Sequence, residues 1–388
     1  MIREIAMRNI LSFGPDETRL ELRGLNVLIG PNGCGKSNVL EVLHLISRLP
    51  STNVNTSLPI VDWIWKGGPA EAHASVEVVA DRREAASTLC LRHRIEFCES
   101  ARRFTFVDEQ LQDSQIARPG ANEPRFYFRS EGGKAFFAQA GSPDAPPIWG
   151  EDIDGTRSIL AQRSDPTFYP EITRMQETYE GIRTYREINC GPNSSIRRPQ
   201  RTDLPTRFLL EDGSNLALVL SRLKKDVSVR RRLESLLSKF YEPATAVDVD
   251  IEGNTAQIYI AESSFTVPAT RLSDGTMRWL VLLAILLDPN PPALVCLEEP
   301  EVGLHPDCVT VLADLLVEAS DRIQLVVTTH SEVLVDAMSD RPENVVVCEK
   351  HDGRTTFQRL DKVALAIWLE KYSLGQLYGS GQLGGRRW

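Results

Sequence analysis

The sequence predicts an α/β fold, a mixed central sheet flanked by helices with a β-rich insertion, and three observations predict it. In the last third of the chain, fully apolar runs alternate with helical patterns. Helices are expected over Gly275–Leu287, Asp307–Ser320 and Ser331–Met338, and strands over Ala293–Leu297, Ile323–Thr328 and Asn344–Cys348. Buried strands alternating with helices give a parallel sheet covered on both faces. Near the N-terminus, the apolar run Leu25–Ile29 ends at Gly30, and a Gly-rich turn leads into a second periodic segment. Between these regions, from Ser51 to about Arg207, the texture changes to short β-like pieces (Ala74–Ala80, Leu89–Phe97, Arg125–Arg129) separated by polar stretches such as Gly141–Gly150.

The remaining elements follow in order. Lys36–Leu49 places Val39, Leu40, Val42, Leu43 and Ile46 at helical spacing, and Pro50 stops the helix. Ile172–Ile182 reads as helix, and Asn215–Tyr241 as two helices. Ala246–Ile251 and Ala256–Ile260, joined across Gly253-Asn254, read as a hairpin. At roughly 100–200 residues per domain, 388 residues allow two or three domains, or one domain carrying a large insertion. The expected division is 1–50, the first part of a head with the Gly-rich turn; 51–204, the inserted β-rich lobe; 205–271, a helical and hairpin region; and 272–388, the second part of the head.

Composition narrows the function. With 42% hydrophobic and 25% charged residues the chain is neither disordered nor collagen-like. A net charge of −9 argues against coating nucleic acid by bulk charge but leaves room for a local basic face. The longest apolar run, Trp279–Leu287, is far short of the ~20 residues that span a membrane, so no membrane partner is expected. No secretory signal is read at the N-terminus. The cysteines at 34, 90, 98, 190, 296, 308 and 348 include no CxxC pair, which favours free thiols in a reducing cytoplasm.

Gly30-Pro-Asn32-Gly33-Cys34-Gly35-Lys36-Ser37 fits GxxxxGK[ST], between a strand and a helix as that loop requires. The glycines let successive N–H groups turn inward around phosphates, and the helix N-terminus, continuing through Asn38, adds partial positive charge. Lys36 would reach the β- and γ-phosphates of ATP, and the Ser37 hydroxyl would ligate Mg²⁺. The apolar strand ending at Leu297 is followed by Glu298 and Glu299, and ligands in open α/β sheets bind at such strand ends. Glu298 would be the outer-sphere Mg²⁺ acid and Glu299 the general base. His330, at the end of the next strand, can donate to the γ-phosphate and steady the attacking water. Ser273 and Gly275, opening an apolar helix about twenty residues before Glu298, combine a hydroxyl, an N–H and a helix N-terminus into an anion site, a stronger reading than the alternative of Ser273 as a plain helix cap.

These motifs, in this order, resemble the ATP-binding-cassette ATPases. Leu272-Ser-Asp-Gly-Thr-Met-Arg278 looks like a variant of their LSGGQ signature, with Asp274 in place of the first Gly. Glu299-Pro-Glu-Val-Gly-Leu-His-Pro306 looks like the catalytic Glu and D-loop, and Thr328-Thr-His-Ser331 like the switch-histidine loop. Together with Met7-Arg-Asn-Ile-Leu-Ser-Phe13, the order is similar to the RecF-like and SMC-like branch, and most of all to stand-alone bacterial AAA-type ATPases found in phage-defence operons or paired with a nuclease; their tail is echoed by Tyr372–Leu377 and Gly381–Arg386. The resemblance covers about 1–50 and 205–388. It implies a P-loop NTPase with a cassette-type head, ATP and Mg²⁺ as cofactors, and Gln162 as the residue that binds Mg²⁺ and the attacking water. It also implies a homodimer that sandwiches ATP head to tail, taking Ser273 and Gly275 from the opposite copy, and a separate effector protein such as a nuclease. Beside Ser273, Asp274 would turn away or pair with a cation, Arg271 and Arg278 being nearest in sequence. Two rivals stand beside this antiviral-defence ATPase: a slowly hydrolysing, ATP-locked scaffold that restrains an effector, and a DNA repair ATPase. Arg222, Lys224, Lys225, Arg230, Arg231, Arg232 and Lys239, with Arg197, Arg198 and Arg201 nearby, form either a DNA- or RNA-contacting face or a solvated helix face with local ion pairs.

Overall fold

The computed structural model describes residues 1–51, 63–68, 72–81, 90–100, 103–116, 123–131, 133–138 and 148–384. Leu89, residues 141–147 of the expected loop, and Arg386 of the tail pattern lie outside the described residues. The chain divides into two compact units: residues 1–182 with 346–360 and 383–388, and residues 183–345 with 361–382.

The first unit is built on an eight-stranded sheet in the order β2-β1-β4-β5-β6-β7-β8-β9. Its strands are β1 (Ile2–Arg8), β2 (Thr18–Glu21), β4 (Ala74–Asp81), β5 (Cys90–Ser100), β6 (Arg103–Asp113), β7 (Phe126–Glu131), β8 (Lys134–Phe137) and β9 (Ile148–Asp152). Every pairing in it is antiparallel. In β4 buried and half-buried residues alternate along the strand, the period-2 signature of a sheet with one face in the core. β1 pairs with β2 on one side and β4 on the other, setting Ile5 against Val78 and Met7 against Val76. These apolar cross-strand pairs make β4–β9 a continuation of the N-terminal sheet, so the expected boundary at 50/51 does not separate two units. Nor do those at 204/205 and 271/272, which fall within the second unit.

The same unit holds β3 (Leu25–Ile29), fully buried, followed by α1 (Lys36–Arg48); β17 (Val345–His351) lies beside β3 and pairs antiparallel with β18 (Arg354–Arg359). Two further helices, α2 (Ile159–Gln162) and α3 (Pro170–Glu180), follow β9. The buried Glu109 fixes the start of α2 by accepting hydrogen bonds from Ser158 Oγ (2.6 Å) and Ile159 N (2.8 Å).

In the second unit β10 (Ile182–Tyr185) lies beside β15 (Leu294–Glu298), and β15 pairs in parallel with β16 (Gln324–Thr328), as the alternating pattern predicts. The connecting helix is α7 (Pro306–Ala319). The expected helix pair is α4 (Leu216–Leu223) and α5 (Val227–Phe240), the latter capped by Asp226. The expected hairpin is β12 (Ala244–Glu252) with β13 (Thr255–Glu262), edged by β11 (Gln200–Arg201) and β14 (Phe265–Pro268). Helix α6 (Asp274–Leu286) carries the longest apolar run. A helix apolar all round belongs inside a core; here Trp279 stacks on Phe240 with ring centroids 5.5 Å apart and donates Nε1–H to Leu236 O at 3.1 Å. Short helices α8 (Glu332–Asp336), α9 (Lys362–Leu369) and α10 (Leu374–Gly379) complete it. Among the described residues no helix is long and apolar enough to cross a membrane.

Candidate functional site: a phosphate loop and two strand ends

The sequence-predicted residues fall into two groups, one in each unit. In the first, the loop Gly30–Ser37 joins β3 to α1. Gly30, Gly33 and Gly35 hold φ of 150°, 74° and 109°. A Cβ on Gly30 would lie 2.2 Å from Cys348 O, and one on Gly35 2.2 Å from Thr355 Oγ1, so both close approach and backbone angle demand glycine there. Asn32 and Gly33 are exposed at the tip, while Cys34, Gly35 and Lys36 are buried. The Lys36 ammonium is folded over the loop, donating to Gly30 O at 2.8 Å and Pro31 O at 3.2 Å.

A chain of hydroxyls steadies this loop. Asn38 Nδ2 donates to Ser12 Oγ (2.7 Å), Ser12 Oγ meets Thr355 Oγ1 at 2.6 Å, and Thr355 Oγ1 donates to Cys34 O (2.7 Å). Thr355, fully buried on β18, has no counterpart among the sequence expectations; nothing in its local pattern signals a role, because the partner lies some 320 positions earlier. Cys34 is also paired by chemistry: a hydrogen bond from the Cys348 thiol, helped by the Lys36 ammonium, lowers the Cys34 thiol to about 6, while burial pushes Cys348 well up.

Gln162 lies in the same unit but not in this network. Its Oε1 accepts from Asp154 N (3.1 Å), and its Nε2 donates to Asp154 O (3.1 Å) and Arg157 O (2.9 Å). Both ends of the amide close the loop ahead of α2.

In the second unit the parallel register sets Glu298 against Thr328, so the ends of β15 and β16 present Glu298-Glu299 and Thr329-His330 side by side. Glu298 is half-buried, and its Oε2 accepts from Arg186 Nε at 2.9 Å. Glu299 takes φ +43°, a left-handed conformation that costs a non-glycine residue about 1–2 kcal/mol. Its N–H donates to Thr328 O at 3.0 Å, which holds that conformation. The carboxylate is 42% exposed and its Oε1 lies 3.6 Å from His330 Nε2, a reach closable by a small rotation. A carboxylate and a histidine are thus brought together at an open strand end. Strain retained at such a point is the kind that functional sites keep.

The structure adds Glu301, which the sequence offered only as a letter of the D-loop. Its Oε1 accepts from Thr329 Oγ1 (2.5 Å) and from His330 N (3.2 Å), and burial raises its carboxyl above the ordinary range. Ser273 caps α6, its Oγ accepting from Thr276 N at 3.1 Å, so the plain-cap reading holds for its hydroxyl in this state. Gly275 packs so closely on the D-loop that a Cβ would sit 3.0 Å from Gly303 O.

Asp274 does pair with a cation, but not with Arg271 or Arg278. Its partner is Arg197, at 2.5 Å. The Arg197 side chain is 3% exposed and also donates to the carbonyls of Cys190, Ala269 and Leu272. Arg197 therefore braces the approach to α6 and leaves the candidate nucleic-acid face; its partners are distant in sequence, so the local basic run pointed the wrong way. Other members of that face are also engaged: Arg222 with Asp288, Lys224 with Asp248, Arg232 with Glu318 and Arg201 with Asp203. Lys225, Arg230, Arg231 and Lys239 are exposed, with no ion pair among the described residues.

For nucleotide and metal the donors fit. In the first unit the glycine-lined loop with an ammonium over it suits a polyphosphate, and the Ser37 hydroxyl is a hard oxygen donor of the kind Mg²⁺ takes; in the second unit the Glu298 carboxylate is another donor of that kind.

Comparison with known proteins bears on the fold and the family. Two head-domain structures share the fold over nearly the whole chain. An Smc head bound to the C-winged helix domain of ScpA is 14% identical with a TM-score of 0.56, covering 94% of this chain and 99% of that one. An Smc head with an extended coiled coil, bound to the C-terminal domain of ScpA from Pyrococcus furiosus, is 14% identical with a TM-score of 0.57, covering 95% and 98%. The chain therefore shares the fold of an Smc head domain. Among sequences, the DNA replication and repair protein RecF of Rhodococcus erythropolis is 38% identical over 84 residues, a match spanning 21% of this chain and 19% of that protein. RecF of Geobacillus kaustophilus is 20% identical over 357 residues, 85% of this chain and 88% of that protein. Residues 25–336 match one family throughout, and the chain belongs to it: the AAA domain family described as putative AbiEii toxin, Type IV TA system.

Proposed function

We propose that this chain is a cytoplasmic, Mg²⁺-dependent ATPase whose two copies close head to tail around ATP, and that closing and opening drive a separate effector protein, such as a nuclease, in anti-phage defence. The observation that carries the reading is the pairing of a carboxylate with a histidine, Glu299 and His330, at the end of a parallel strand pair in a chain that also carries a Gly-rich phosphate-loop motif. Lys36 leaves its loop carbonyls for the β- and γ-phosphate oxygens, and the loop N–H groups and the α1 N-terminus take the remaining charge. Bound Mg²⁺, held by Ser37 with Glu298 in support, would neutralise the phosphate oxygens as the terminal phosphoryl leaves. Glu299 accepts a proton from the attacking water, and His330 donates to the γ-phosphate. Ser273 and Gly275, at the N-terminus of α6, serve the nucleotide of the opposite copy, and Arg197 keeps the Asp274 carboxylate from repelling it.

A DNA repair ATPase is the second reading. It draws on the RecF names among the relatives and on the outward cations Lys225, Arg230 and Arg231 of the α5 region. An ATP-locked scaffold differs from both in consequence: trapping ATP leaves a scaffold in its working state and stops a motor.

Light scattering with and without ATP tests the dimer in a Glu299→Gln background. That protein is expected to double in mass on ATP, and adding Ser273→Arg is expected to keep it monomeric while it still binds ATP. If the Ser273→Arg protein dimerises with ATP, the head-to-tail arrangement is wrong and the copies join through another surface.

A further inference from the structure

Resting on the ATPase reading above, we infer that Glu301 is the positioning residue of His330: it clamps the turn after β16 so that the imidazole stays within reach of Glu299. The two loops meet in a set of hydrogen bonds from residues 329–331. Glu301 Oε1 accepts from Thr329 Oγ1 at 2.5 Å and from His330 N at 3.2 Å. Thr329 Oγ1 in turn accepts from Ser331 N at 2.9 Å. On the near side, Glu299 N donates to Thr328 O (3.0 Å) and Thr328 Oγ1 (3.3 Å). The strand end is therefore gripped twice, by the backbone of Glu299 and by the side chain of Glu301.

The turn that carries Glu301 is itself tied to Glu299. Val302 N donates to Glu299 O at 3.1 Å, and Leu304 N to Glu301 O at 3.0 Å. Moving the D-loop moves both the base and the clamp on the histidine, so the distance of 3.6 Å between Glu299 Oε1 and His330 Nε2 is set by one rigid turn. The second oxygen, Oε2, is buried without a hydrogen bond among the described residues. A proton on Oε2 leaves Oε1 free to accept both bonds, and burial favours that protonated form. The clamp needs an acceptor of this length and shape rather than a negative charge, which makes glutamine its faithful substitute and alanine its removal.

The test compares Glu301→Ala, Glu301→Gln and the Glu301→Ala/His330→Ala pair by steady-state ATP hydrolysis and by NMR of the histidine ring protons, with the His330 signals assigned by their loss in His330→Ala. Glu301→Ala is expected to lower kcat about 10- to 100-fold, part of the effect of a lost acid–base group, with KM for ATP within about twofold. Glu301→Gln is expected to stay within about threefold of wild type, and Glu301→Ala to cost nothing further once His330 is alanine. The His330 ring signals are expected to drift toward solvent-averaged positions in the alanine variant and to stay put in the glutamine variant. A glutamine variant as slow as the alanine variant, additive losses with His330→Ala, or unmoved ring signals would each overturn the inference. If the wild-type protein hydrolyses no ATP, the ATPase reading fails on its own, and the ring signals still decide whether Glu301 holds His330.

Discussion

In the phosphate loop the backbone carries the geometry, whereas at the paired strand ends side chains carry it. Gly30 and Gly35 are fixed by what a Cβ would strike, and Lys36 is aimed by its own loop carbonyls. The glycine angles and the Lys36 bonds are local to this loop, while Ser12, Cys348 and Thr355 pack against it from outside. Glu299 and His330 come from loops some thirty positions apart, and they are placed by the β15–β16 register and by Glu301. The loop should therefore respond to substitution as a binding device, and the strand ends as a device for turnover.

Lys36→Ala gives the largest expected effect on the binding side. The ammonium can make two charge-assisted hydrogen bonds to phosphate, each contributing about 1.5–3 kcal/mol, so ATP affinity should fall about 100-fold or more. Fluorescent-nucleotide titration measures it, and unchanged affinity would remove the loop from the account. A smaller effect is expected at Arg197, which belongs to neither device but braces the start of α6. Arg197→Met leaves three carbonyl acceptors without their donor, and chemical denaturation should report a loss of about 3 kcal/mol. A loss under about 1 kcal/mol would mean that water replaces the guanidinium and that Asp274 needs no buried partner.

A pH-dependent effect is expected at Cys34. Its thiol is lowered in the folded state to about 6, below the ordinary value of about 8.5. A depressed acid contributes stability that is fully present above the unfolded value and is lost as pH falls through the folded one. Wild type should therefore gain stability relative to Cys34→Ser between about pH 6 and pH 8.5, and the difference should be flat below that window. Parallel urea unfolding curves across this range check it; a constant difference would show that the Cys348 hydrogen bond does not favour the thiolate.

The same contrast explains what was legible in the sequence. Elements with their own period could be read directly: β3, α1, the β12–β13 hairpin and the alternation from α6 to β17 appear within one to three residues of expectation. The phosphate loop was legible because its motif is contiguous, although Cys348 and Thr355, which crowd its glycines, were not. The continuity of β4–β9 with β1 was not, since cross-strand pairing of Met7 with Val76 leaves no mark on either segment alone. Arg197 was misread for a related cause: three arginines within five residues look like a surface, and only the fold brings one of them to Asp274 and three carbonyls. Glu301 and Thr355 escaped because each acts on a partner brought near by strand order. Gln162 shows the opposite limit, a residue selected through resemblance whose amide is engaged by its own loop.

The most direct test of ATP turnover by Glu299 is a paired measurement on wild type and Glu299→Gln, taking ATP affinity and phosphate release from the same samples. General-base assistance contributes typically about 10²–10⁴-fold, so the variant should bind ATP as wild type does and release phosphate slower by that factor. Equal rates in the two proteins would contradict the account and place the base elsewhere.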